Sequence, residues 1–111
     1  MHPKRCGPPH EAKALTDLPN IGPAMAEDLR LIGITHPGQL VACDPYRLYD
    51  ELCVSSGVRH DPCVIDVLIS VVRYMDGQGA RVWWDYTAER KASVAGGGSL
   101  AEQVASRRSR R

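Results

Sequence analysis

The side chains with the clearest chemical potential lie in Arg59-His60-Asp61-Pro62-Cys63. Asp-Pro is a helix-start signal, with aspartate as N-cap and proline at the first helical position, which puts Cys63 at the second. There the helix dipole and unpaired N–H groups favour a thiolate, and His60 just outside the cap offers a positive or hydrogen-bonding partner. Against a reactive His60 and Cys63 pair stand the adjoining Asp61 carboxylate and the general habit of cysteine to act as a small core residue. Both readings, a reactive and a structural Cys63, are carried forward.

Cys43, Cys53, His60 and Cys63 are ligand types for zinc, but His60-x-x-Cys63 is the one short ligand spacing among them, and a structural zinc site calls for two close pairs. No metal is therefore expected. His10 and His36 are isolated and read as surface or capping residues. There is no Walker loop, no G-x-G-x-x-G after a strand and no nucleophile–base order, so no cofactor is expected, no small-molecule substrate is evident, and nothing demands an enzyme.

A second chemistry lies in Leu15-Thr16-Asp17-Leu18-Pro19-Asn20-Ile21-Gly22-Pro23-Ala24-Met25-Ala26-Glu27-Asp28-Leu29. The run reads as a short helix, a tight reversal and a second short helix, the layout of a helix-hairpin-helix unit. Asn20 and Gly22 both tolerate positive φ, Pro19 fixes φ before the turn, and Pro23 suits the first turn of a helix. Such a reversal leaves backbone N–H groups at the mouth of the second helix, where a phosphate oxygen is welcome. The candidate phosphate site is Asn20, Ile21, Gly22, Pro23, Ala24 and Met25. Hairpins of this shape also serve as packing units with no ligand.

These residues must be positioned by a chain of short helices. Met25, Leu29 and Ile32 form an apolar stripe with Glu27, Asp28 and Arg30 facing away, and Gly33 closes that helix with a left-handed cap. Thr35 is the expected N-cap of a brief turn over 37–42. Asp44-Pro45 starts a helix with Leu48, Tyr49, Leu52 and Cys53 inward, ended by Gly57. From Asp61-Pro62 to Met75 the chain is apolar nearly all round, with Asp66, Ser70 and Arg73 as a polar stripe. Its length and that spacing favour a buried central helix over the strand its β-branched residues suggest. Trp83-Trp84 are expected to dock on the core in place of the absent phenylalanines. A competing reading stacks bases on an exposed tryptophan with Arg90 and Lys91 on phosphate.

The expected fold is all-α: a compact, SAM-domain-like bundle of four to five short helices containing a helix-hairpin-helix-like unit. The 111 residues suit one small domain. We place it at 13–91, after a loose Pro- and Gly-containing segment at 1–12 and before a disordered Gly/Ser/Arg tail at 92–111. No run of about 18 apolar residues and no leader pattern occurs, so no membrane association and a cytoplasmic location are expected. Four cysteines without paired spacing then read as reduced thiols. The net charge of +1 is uneven: four arginines against nine carboxylates leave residues 15–80 at about −5, whereas residues 92–111 carry about +3. The terminal arginines suit a polyanion tether or a merely solubilising end.

Leu18-Pro19-Asn20-Ile21-Gly22-Pro23, Gly33-Ile34, Cys43-Asp44-Pro45-Tyr46-Arg47-Leu48-Tyr49, Arg59-His60-Asp61-Pro62-Cys63-Val64-Ile65-Asp66 and Trp83-Trp84-Asp85-Tyr86-Thr87-Ala88-Glu89-Arg90-Lys91 together resemble the bacterial pathogenicity-locus helix-hairpin-helix family, members of which are mitomycin-resistance-like. The hairpin is also distantly similar to the C-terminal domain of TfoX-type competence regulators. The resemblance covers residues 13–91 and implies an all-helical fold in a bacterial cytoplasm, with little about mechanism. The chain departs from DNA-binding hairpins at Asn20, where the first glycine usually stands, and at Ala24 and Met25, where a basic or hydroxyl residue often touches phosphate. Any phosphate contact then falls to the backbone. Three functions are weighed: non-sequence-specific DNA binding through the hairpin, a protein-interaction or structural module whose acidic face meets a basic partner, and a small thiol- or metal-dependent enzyme centred on His60 and Cys63.

Overall fold

In a computed structural model, which describes residues 1–96, four α-helices and five short 3-10 turns pack around one apolar core, with no strand among the described residues. The helices are α1 (Pro23–Leu31), α2 (Pro45–Ser56), α3 (Cys63–Met75) and α4 (Thr87–Gly96). The expected all-α bundle is what forms, and α3 is its spine. Ile65, Leu68, Ile69, Val71, Val72 and Tyr74 of α3 are buried, and α2, the Pro37–Leu40 turn, the Trp83–Tyr86 turn and α4 all pack against it. Leu15, Leu18, Ile21, Leu29, Leu40, Tyr49 and Leu52 complete the core.

The helix boundaries follow local chemistry. The Asp44 carboxylate accepts the Tyr46 N–H at 3.0 Å to start α2, and Gly57, at φ +73°, ends it by donating its N–H to the Cys53 carbonyl. The Asp61 carboxylate accepts the Cys63 N–H at 2.8 Å and starts α3. Leu48, Tyr49, Leu52 and Cys53 face inward as their spacing predicts. At the Pro37–Leu40 turn the cap is His36, whose Nδ1 accepts the Gly38 N–H at 2.9 Å. Thr35, the expected cap, is instead gripped with His36 by the Gln39 side-chain oxygen, which accepts both backbone N–H groups.

The structure adds detail at four places. The first arm of the 15–29 reversal is a single 3-10 turn, Leu15–Asp17, because Pro19 forces Leu18 into extended backbone. Residues 1–12, expected to be loose, form the turns Pro3–Arg5 and Pro9–Glu11, bury Pro3 and Ala12, and receive the Tyr74 hydroxyl on the Gly7 carbonyl at 2.6 Å. Prolines in this segment restrict the unfolded chain and reduce the entropy lost on ordering it. Helix α4 runs on past Lys91 to Gly96, held at its base by ion pairs from Glu89 and Arg90 and further along by the Tyr46 hydroxyl on Ser93 Oγ at 3.2 Å. The remainder of the expected tail, 97–111, lies outside the described residues.

The fourth place is the polar stripe of α3. Asp66 and Ser70 are fully buried, and the stripe is the seam against which the C-terminal segment docks. Asp66 accepts the Thr87 hydroxyl at 2.7 Å and pairs with Arg90 Nε at 2.7 Å. Arg73 pairs with Glu89 at 2.5 Å and lies over the Tyr86 ring, 5.9 Å from its centroid. Buried polar groups with these partners avoid the several kcal/mol that an orphaned charge would cost.

Candidate functional site

The reversal between Leu18 and α1 is built from one left-handed residue and its side chain. Asn20 sits at φ +66°, a conformation asparagine tolerates because its short polar side chain finds local partners. Here those partners are distant in sequence: the amide donates to Ser70 Oγ on α3 and to the Arg81 carbonyl, each at 2.9 Å. The Asn20 N–H meets the Met1 carbonyl at 2.7 Å. The turn is thereby fastened to the spine, to the strand-like approach of Trp83, and to the start of the chain.

Gly22 does not use the positive φ that it tolerates. Its φ of −99° and ψ of −176° are open to any residue, and a Cβ built there meets nothing within 4 Å. Neither backbone strain nor internal packing asks for glycine. Its effect is to leave the mouth of α1 uncovered. Pro23 stands at the first helical position as expected, so the orphan donors of the first turn are the N–H groups of Ala24 and Met25. No side chain caps them and no carboxylate lies in that turn. The contrast with α2 and α3 is direct: Asp44 holds that position in α2, and in α3 Asp61, one residue before the cap residue Pro62, accepts the Cys63 N–H. Glu27, one turn on, is engaged by Arg30.

Beside this turn runs a groove of about 390 Å³ walled by Met1, His2, Pro3, Asn20, Ile21, Gly22, Val82, Trp83 and Trp84. Sequence reasoning named the hairpin part of it and the tryptophans and missed Met1, His2, Pro3 and Val82, for which no local signal exists. The tryptophans divide their roles. Trp83 is half-buried, whereas Trp84 is 59% exposed rather than docked on the core, and the two rings meet edge to face with centroids 5.4 Å apart. Arg90, paired with it in the stacking reading, is turned away to Asp66; Lys91 is exposed.

The thiol candidates are arranged for stability. The His60 Nε2 lies 2.9 Å from Ser56 Oγ, its N–H donates to Cys53 Sγ at 3.5 Å, and its carbonyl takes the Tyr49 hydroxyl. Cys63 faces Asp61 instead: a hydrogen bond to that carboxylate, with burial second, pushes the thiol up, opposite to activation. The same interaction, with the Cys63 N–H foremost, holds the Asp61 carboxyl below its usual range. Cys53 is buried in α2, and Cys43 Sγ donates to the Gln39 carbonyl at 3.1 Å. No three potential metal ligands converge among the described residues. No described helix is long and apolar enough to cross a membrane.

Comparison with known proteins adds a lineage. Residues 9–92 match the family described as pathogenicity locus, Cdd1. A mitomycin resistance protein, McrB, of Streptomyces lavendulae is 44% identical over 84 residues, which cover 76% of this chain and 80% of that protein. No solved structure matches.

Proposed function

This chain belongs to the pathogenicity-locus family, and from that premise we propose that it binds the DNA backbone without regard to sequence, through the turn at residues 20–25, in the cytoplasm. The observation that carries the reading is the uncapped start of α1. Its Ala24 and Met25 N–H groups lie at the positive end of a helix whose entry residue, Gly22, has no side chain to cover them. Backbone donors at such a site recognise a phosphate oxygen and carry no base information. His2 and Pro3 of the groove lead into the turn Pro3–Arg5, which adds the cations Lys4 and Arg5 next in sequence. The Arg107, Arg108, Arg110 and Arg111 cluster supplies further sequence-independent attraction.

The test is fluorescence anisotropy of a labelled random duplex with the full chain at two salt concentrations. Gly22→Glu places a carboxylate at the mouth of α1, and the open space and ordinary φ there let the variant fold. We expect salt-sensitive binding that Gly22→Glu abolishes, and that survives, weakened, when the four C-terminal arginines are changed to serine. Binding that vanishes with those arginines and ignores Gly22→Glu would reduce the activity to that of a polycation. A protein-docking module is the second reading. Half-exposed Leu31, Val41, Val54 and Val58 favour it, and it predicts no duplex binding at either salt concentration.

A further inference from the structure

We propose that the groove beside the turn holds an unpaired base stacked on Trp84, so that the DNA this chain prefers is single-stranded or locally opened. The inference rests on the DNA-binding reading above and adds the form of the nucleic acid. Trp84 carries it. An indole with 59% exposure loses apolar burial that Tyr86, two residues on, obtains in full, and it stays open to solvent among the described residues. The edge-to-face contact with Trp83 occupies at most one face of the ring, so that a flat partner can lie on the other. Trp83 meets the indole edge to face, and the Trp83–Tyr86 turn that carries both rings is seated on α3.

The groove fits the occupant in size and charge. Its 390 Å³ lies within the range of about 300–1,000 Å³ that small-molecule sites occupy. None of the nine residues that wall it carries a carboxylate, in a chain whose residues 15–80 are strongly acidic. His2 accepts the Lys4 N–H at Nδ1, which leaves Nε2–H as a donor on the groove wall. Val82, partly exposed, supplies apolar contact for a base edge. Stacking of this kind tolerates any base, because every base presents a π-face, and it is denied to a duplex whose bases are already stacked.

The test uses the full chain with a labelled twelve-nucleotide oligothymidine strand, the same strand annealed to its complement, and thymidine monophosphate, read by tryptophan fluorescence and anisotropy. The strand should quench fluorescence and bind more tightly than the duplex. Trp84→Ala should weaken strand binding about 10-fold or more while leaving duplex binding and thermal stability unchanged, and Trp84→Phe should restore most of the loss. Equal loss on strand and duplex, or no loss on either, would overturn the stacked base while leaving backbone binding intact. Failure of every DNA form to bind would overturn both readings. Quenching by the mononucleotide at an affinity matching the strand would overturn the strand as occupant and assign the groove to free nucleotides.

Discussion

The Asn20 side-chain amide donates to Ser70 Oγ at 2.9 Å, fifty residues away, and this bond sets the 18–25 turn on the fully buried polar face of α3. Because the same amide also holds the Arg81 carbonyl, one residue brings the turn, the spine and the segment leading to Trp83 and Trp84 together. The groove exists because these three meet.

Asn20→Gly keeps the left-handed backbone and removes both side-chain bonds. We expect it to cost about 1–2 kcal/mol in urea denaturation and to weaken any strand-induced tryptophan quenching. Asn20→Val should cost more, since a β-branched residue at φ +66° is strained as well. A neutral Asn20→Gly would show that the amide does not hold the groove.

Asp66 is fully buried and Arg90 is 12% exposed, so removing one partner strands the other. Asp66→Ala should destabilise by about 3–5 kcal/mol, enough to threaten folding of a domain this size. The double change Asp66→Leu with Arg90→Met should recover much of that loss. Denaturation midpoints measure both, and a loss under about 1 kcal/mol for Asp66→Ala would contradict the pairing.

With the Asp61 carboxylate beside it, Cys63 should alkylate as a poor nucleophile. In a Cys6→Ser, Cys43→Ser background, the pH dependence of iodoacetamide labelling should give a midpoint above the value of about 8.5 for free cysteine. Asp61→Asn, which still caps α3, should bring the midpoint down. A wild-type midpoint below that of free cysteine would revive the reactive-thiol reading.

Two carboxylates, Asp17 and Asp61, make folding sensitive to acid. Asp17 accepts the Ala14 N–H at 3.0 Å and the Lys13 N–H at 3.1 Å, and these bonds hold its carboxyl below the usual range; Asp61 is lowered chiefly by the Cys63 N–H. Since the folded values lie below the unfolded ones, their stabilisation is complete above about pH 5 and is lost as pH falls through the folded values. Urea midpoints taken from about pH 5 down to about pH 2 should fall less steeply in the Asp17→Asn, Asp61→Asn variant than in wild type. Parallel curves would show that neither carboxylate is linked to folding.

Every structural feature legible in the residues alone was decided within a few positions of itself. Asp44 and Asp61 start helices because a carboxylate reaches the N–H two residues on, Gly33 and Gly57 end them because glycine takes positive φ freely, and Asn20 takes the left-handed turn for a related reason. The apolar run of α3 declared its burial by composition, and the ordered series of motifs carried the family. What remained hidden depends on partners far along the chain. Asp66 and Ser70 read as a polar stripe, and only the fold shows that Arg90, Thr87 and Asn20 partner them. Trp84 stays exposed while Tyr86 is buried, because the turn seating them on α3 has one inner face to fill. The groove, finally, joins residues 1–3, 20–22 and 82–84, and only tertiary packing could bring those three segments to one surface.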